Sequence, residues 1–156
     1  MCGVAGAGKT TVGRLVAAHL QAPFADADDF HTPEAVAKMA QGTALTDADR
    51  APWLARLHDV LHAWHASGTG GVLACSALRR AYRERLAEGA LPVRFVLLTA
   101  TEATLHARLT GRAGHFFPTA LLGSQRATLE ADGIAAITTD GLTPAQTAGA
   151  VLAVLG

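Results

Sequence analysis

The chain has 156 residues, 50% of them hydrophobic and 17% charged, with a formal net charge of zero. That length suits one domain able to bury roughly 68% of its unfolded surface, and the composition excludes a disordered chain. Neutrality gives no global field toward nucleic acid or anionic membrane, and no apolar run nears the roughly 20 residues of a membrane span.

The first pattern in chain order is Gly3-Val4-Ala5-Gly6-Ala7-Gly8-Lys9-Thr10, which matches G-x-x-x-x-G-K-[ST] at every fixed position. Its glycines let the backbone curl so that successive N–H groups face phosphate oxygens, and the helix that follows adds its positive end. Lys9 is expected to reach the β- and γ-phosphates of a nucleoside triphosphate, and the Thr10 hydroxyl to ligate Mg²⁺. Only two of the 13 cationic lysines and arginines are lysines, so Lys9 marks a place wanting a flexible point charge. Only Met1 and Cys2 precede the motif, which should hang from a strand near 17–20 Å long. At about 3.3 Å per residue they cannot fill one. The expectation is a truncated first strand, a natural start upstream and a chain destabilised as written.

Helical spacing follows over Thr10–Gln21, then a short strand over Pro23–Ala27 that runs into Asp26, Asp28 and Asp29. Strand C-terminal ends share one edge of a parallel sheet with the phosphate loop. Asp26 is therefore expected on the Mg²⁺ side and Asp28 as the base for an acceptor hydroxyl, both on one face if the chain stays extended. A solvated acidic loop that caps the next helix is the competing reading, and Asp29 could be only that cap. Thr32-Pro33 opens a helix to about Ala40, and Thr46-Asp47-Ala48-Asp49 a longer one through Trp64. Ser67–Gly71 breaks it.

Val72–Cys75 reads as a buried strand, Arg79–Glu88 as a basic helix and Val93–Leu98 as the clearest strand. Arg50 and Arg79 stand where an anionic acceptor could be gripped in bidentate fashion, although either alone could be a surface charge. A helix from Thr101 to about Thr110 leads into a lid over about 111–118, bracketed by Arg108 and Arg112. Those arginines are expected on the nucleotide when the lid closes. His115 touches either phosphate or substrate, or only packs the lid. Pro118–Glu130 is helical, Ile134–Thr138 a weak strand, and Thr143-Pro144 caps a last helix to Leu155. Strands alternating with helices predict a single α/β domain, a doubly wound parallel sheet with helices on both faces.

Other signals carry less. Cys2 and Cys75 lack metal-ligand spacing and read as reduced buried thiols. His58, His62 and His65 resemble a zinc motif but fall beside the apolar stripe of their helix, and no third ligand follows in pattern. The Arg79, Arg80, Arg83 and Arg85 cluster lacks the aromatics of a nucleic-acid face. The start of the chain has no signal-peptide h-region.

Several blocks together are similar to the gluconokinase family of small P-loop kinases, thermoresistant type. They are the phosphate loop, Asp26-Ala27-Asp28-Asp29-Phe30-His31, Lys38-Met39, Gly42, Leu45, Asp47-Ala48-Asp49-Arg50 with Pro52-Trp53-Leu54, Cys75-Ser76-Ala77-Leu78-Arg79-Arg80-Ala81-Tyr82-Arg83, Gly114-His115-Phe116-Phe117 and Ser124-Gln125. The resemblance implies a P-loop NTPase-type fold with a lid and ATP- and Mg²⁺-dependent phosphorylation of D-gluconate. It also implies a cytoplasmic enzyme, commonly a homodimer. Gly123 and Arg126 depart from the acidic and apolar residues usual around Ser-Gln. A shikimate-like hydroxy-acid kinase is the alternative within enzymes, although Cys75-Ser76-Ala77-Leu78 stands where a triple glycine would be expected. A nucleotide-binding regulatory module is the alternative outside them.

Overall fold

The structure is a computed structural model that describes residues 1–111 and 119–156. Helix α1 (Lys9–Leu20) leads to strand β1 (Phe24–Asp26), then come α2 (Pro33–Ala40) and α3 (Asp47–Ala66). Strand β2 (Val72–Ala74), α4 (Arg80–Leu86), β3 (Val96–Thr99) and α5 (Glu102–Thr110) follow. The chain ends with α6 (Thr119–Thr128), β4 (Ala135–Thr138) and α7 (Pro144–Leu155). The local rules for helix starts hold: Thr32, Thr46, Thr101 and Thr143 each accept a backbone N–H in the first turn, with full capping boxes at Thr46 and Thr143.

Strands β1 and β2 pair in parallel, as do β3 and β4. The residues ahead of the phosphate loop join the two pairs. Met1 nitrogen donates to Leu73 oxygen at 2.9 Å, and Cys75 nitrogen donates to Met1 oxygen at 3.0 Å. On the other side, Cys2 donates to Val96 oxygen at 2.7 Å and accepts from Leu98 nitrogen at 2.9 Å. The spatial order is therefore β1, β2, Met1–Gly3, β3, β4, which puts the phosphate loop at the switch point of a doubly wound sheet. Strand β3 begins at Val96, not at Val93, because its first ladder bond is the one from Cys2. On the far side of Met1, toward the N-terminal ends of β2 and β3, lies an apolar cavity of about 380 Å³ lined by Leu73, Phe95, Val96, Trp64 and Leu86.

Both faces of the sheet are covered. Val72, Val96 and Leu98 pack with Val12 and Val16 of α1, Leu105 and Leu109 of α5 and Val151 of α7. Cys2, Leu73, Cys75 and Leu97 point the other way, onto Trp53, Leu54 and Leu57 of α3 and Tyr82 and Leu86 of α4. Alternation along β3 explains its unbroken apolar run, since each neighbouring residue meets a different helical layer. Among the described residues, no helix is long and apolar enough to cross a membrane.

Candidate active site

The phosphate loop is held open by its glycines. Gly3, Gly6 and Gly8 have φ of 137°, 81° and 96°. A side chain at Gly3 would also come within 2.5 Å of the Leu98 carbonyl oxygen. Only glycine satisfies both the left-handed backbone and that close approach. Val4, Ala5 and Ala7 complete the loop, with Val4 and Ala7 buried in the core. Lys9 Nζ folds back to donate to Val4 oxygen at 3.0 Å. Burial lowers the Lys9 ammonium from its ordinary pKa, opposed by Asp28, Cys75 and Asp26.

Thr10 and Asp26 meet: the Thr10 hydroxyl donates to Asp26 Oδ2 at 2.5 Å. The other Asp26 oxygen accepts from Asp28 nitrogen at 3.1 Å. The chain does not stay extended past Asp26, as the shared-face expectation required. It turns at once into a 3₁₀ turn, Ala27–Phe30, and Asp26 caps it. The next helix, α2, is capped by Thr32, not by Asp29. Asp28 lies close enough to Lys9 for its charge to oppose the lowering of the lysine pKa by burial.

The same turn carries His31, whose ring stacks on Trp53 with centroids 4.5 Å apart. Trp53 Nε1 is anchored on Ala27 oxygen at 2.7 Å. Burial lowers the pKa of His31; Asp28 raises it and Arg50 lowers it. Among the described residues, buried His31 Nδ1 has no hydrogen-bond partner.

Arg50 and Arg79, far apart in sequence, converge on one ring. Their guanidinium carbons lie 5.5 and 5.8 Å from the Tyr82 centroid. Arg50 donates to Leu45 oxygen at 2.5 Å and to the Tyr82 hydroxyl at 3.3 Å. Arg79 grips both oxygens of Asp47, at 3.2 and 2.9 Å, and Tyr82 Oη donates to Asp47 Oδ1 at 2.5 Å. That hydrogen bond, with Arg79 and Arg50 nearby, holds the Asp47 carboxyl below its ordinary range. Burial and the same bond push the Tyr82 phenol up. Asp47 thus sits on Arg79 as a carboxylate, the group an acidic acceptor would present.

Reading by residue type missed Tyr82 and Asp47 as site residues. The available signal was Tyr82 three positions after Arg79, one turn along α4. It also missed Arg83, a buried arginine that donates to the Ala77 and Leu78 carbonyls at 3.0 and 3.2 Å. Arg83 shapes the bend before Arg79, where Ala77 has φ of 40°.

On the other flank, Arg108 lies at the end of α5. It donates to Gly6 oxygen at 3.3 Å, to Thr139 Oγ1 at 2.7 Å and to Thr139 oxygen at 3.1 Å. A cavity of about 450 Å³ opens there, lined by Gly8, Thr11, Arg108, Thr139, Leu142 and Pro144. It adjoins the phosphate loop and has the size of a small-molecule site. Arg112 and His115, with most of the expected lid, lie outside the described residues. The His58 ring nitrogen Nδ1 contacts Leu86 oxygen at 3.3 Å, which ties α3 to α4.

Comparison with known proteins gives a consistent picture. A family model described as an AAA domain matches residues 1–131. The gluconokinase of Gluconobacter oxydans is 50% identical over 131 residues, which is 84% of this chain and 74% of that protein. A sugar kinase from Janibacter sp. superposes with a TM-score of 0.90 at 41% identity, over 99% of this chain and 91% of that one. A gluconokinase from Sinorhizobium meliloti superposes with a TM-score of 0.84 at 39% identity, over 99% and 90%.

Proposed function

The chain belongs to the gluconokinase family, and from that footing we propose that it transfers the γ-phosphoryl group of ATP to the terminal hydroxyl of D-gluconate, giving 6-phospho-D-gluconate. The observation that carries the acceptor half is the convergence of Arg50 and Arg79 on Tyr82, at the sheet edge that also holds the phosphate loop. Two fixed guanidinium groups suit a carboxylate in bidentate fashion and disfavour neutral sugars. Between that end and the loop stand His31 and Asp28, so an extended polyol would run from the arginines toward Lys9 with its hydroxyls along the turn.

The roles follow from position. The loop amides and Lys9 hold the phosphates, and Lys9 neutralises charge on the oxygens bridging donor and acceptor. Asp28 accepts the proton of the attacking hydroxyl. Arg108 and the cavity beside it take the nucleoside side of ATP, and Arg112 and His115 are proposed to complete the site over the phosphates and the acceptor. Thr10 and Asp26 form a hard-oxygen pair that fits Mg²⁺, the ion preferred by such donors beside phosphates. Mg²⁺ bound there would supply charge neutralisation of the β- and γ-phosphate oxygens. We place the reaction in the cytoplasm and the enzyme as a homodimer, following the family resemblance.

The test is ADP formation with gluconate, its epimers and shikimate as separate acceptors. Gluconate-dependent ADP release that falls by about 100-fold or more in Asp28→Ala is the expected outcome. Turnover with shikimate but not gluconate would replace the substrate. ATP left intact with every acid would favour a nucleotide-binding regulatory module.

A further inference from the structure

Leu122 and Gln125, at i and i+3 on α6, and Leu129 at i+7 just past its end form an inner stripe in which Gln125 is half-buried, with Arg126 exposed beside it. Leu122 is buried among Val4, Leu105 and Leu109, and Leu129 packs against both cores. A carboxamide on such a stripe calls for a partner. Gln125 has one 120 residues away: its Oε1 accepts from Ala5 nitrogen at 2.8 Å. An N–H can bond only the oxygen of the carboxamide, which turns Nε2 the other way. Among the described residues, Nε2 has no protein partner within hydrogen-bond reach.

The peptide that Gln125 touches is informative. Its carbonyl, Val4 oxygen, accepts from Lys9 Nζ, and its N–H, on Ala5, donates to Gln125. The lysine head and the glutamine carboxamide therefore meet at one peptide of the phosphate loop. Lys9 serves the β- and γ-phosphates, so the Val4–Ala5 peptide marks the end of the cradle where the terminal phosphoryl group lies.

Helix α6 is also tied down beyond Gln125, at Arg126 and Glu130. Arg126 bonds Glu102 of α5 at 2.5 Å. Just past the helix, Glu130 accepts from Arg80 nitrogen at 2.6 Å and donates its own N–H to Leu78 oxygen at 2.8 Å. Gln125 is thereby held at a fixed height over the loop.

We propose that Gln125 is a further phosphate-positioning residue: Oε1 fixes the Ala5 amide, and the free Nε2 donates to an oxygen of the transferring γ-phosphoryl group. The reaction it serves rests on the kinase reading above, whereas the nucleotide contact does not. A neutral donor there holds the terminal group without adding the charge that would bind product ADP more tightly.

The experiment compares the affinities of ADP and of a non-hydrolysable ATP analogue by calorimetry, without acceptor, in the wild type, Gln125→Glu and Gln125→Met. Glutamate keeps an acceptor for Ala5 but replaces the donor with an anionic oxygen. Methionine keeps the length and removes both functions, so it serves if the glutamate variant fails to fold. In either variant the ATP analogue is expected to weaken by about tenfold or more while ADP stays within about twofold, because only the former has a γ-phosphoryl group. An unchanged ratio of the two affinities overturns the proposal. Equal weakening of both nucleotides also overturns it, because Gln125 would then only staple the loop. A changed ratio in a protein that does not phosphorylate gluconate keeps this contact and removes the acceptor assignment instead.

Discussion

Thr10 Oγ1 donates to Asp26 Oδ2 at 2.5 Å, so one hydrogen bond fastens the start of α1 to the end of β1. These are the two elements of the first crossover, and their meeting point lies beside the phosphate loop. The pair is preassembled. Its oxygens are fixed by the helix and the strand before any ion arrives, which lowers the ordering cost of binding one.

Thr10→Val removes the hydroxyl at nearly constant shape and should lower kcat/KM for ATP by about 10- to 100-fold, the worth of a charge-assisted contact. Thr10→Ser should recover most of the loss. Initial rates across a Mg²⁺ titration check this, and a valine variant with wild-type Mg²⁺ dependence would dissociate the pair from the ion.

Lys9 is lowered chiefly by burial. Between its folded pKa and the ordinary 10.5, the unfolded chain binds more protons than the folded one, so the stability of the wild type should rise with pH across that window. At neutral pH the charged lysine is a burden on the fold. Lys9→Met should therefore melt higher than the wild type at pH 7, by a margin that narrows as pH climbs toward 10.5. Its kcat should fall by about 100-fold or more, because the charge on the phosphates is gone. Melting curves at several pH values provide the check, and a methionine variant that melts lower at pH 7 would contradict the burial argument.

The planar guanidinium of Arg79 or of Arg50 offers an acceptor carboxylate a fork that a lysine cannot copy. Arg79→Lys and Arg50→Lys should each raise KM for gluconate by about 10- to 100-fold, with KM for ATP nearly unchanged. Steady-state kinetics with each substrate varied separates the two sides. A matching rise in KM for ATP would place the arginine on the nucleotide.

Arg83 has only a structural task. Replacing it with methionine strands the Ala77 carbonyl, at about 1–3 kcal/mol for a buried acceptor left unpaired, whereas the Leu78 oxygen keeps the Glu130 N–H. At about 2–4 °C per kcal/mol for a chain of this size, the melting temperature should fall by several degrees. Gluconate KM should rise with it, because the same carbonyls shape the bend that presents Arg79. Thermal melts and kinetics on the one variant test both effects.

Much was legible from the linear chain because it depends on neighbours in sequence. The phosphate loop, its glycines and Thr10 are one contiguous segment whose backbone rules are local. The threonine caps at 32, 46, 101 and 143 each sit three residues from the N–H group they satisfy. The apolar run of β3 announced a strand buried on both faces, though not that its ladder would wait until Val96 for Cys2.

Tertiary structure decided what lies between distant segments. Residue types marked Arg50 and Arg79 as candidates, but only the packing of α3 against α4 brings both to Tyr82 and lays Asp47 across Arg79. Asp26 and Asp28 were expected on one face of an extended chain, but Asp26 caps the turn that follows, because an aspartate at a strand end caps the following turn more readily than it prolongs the strand. Gln125 could not be placed from its neighbours, since its partner is 120 residues away. The short lead-in of Met1 and Cys2 marks the same boundary. The linear chain shows that two residues cannot span a strand. The folded sheet shows what they do accomplish: with four ladder hydrogen bonds they bridge β2 and β3 and seat the phosphate loop between them.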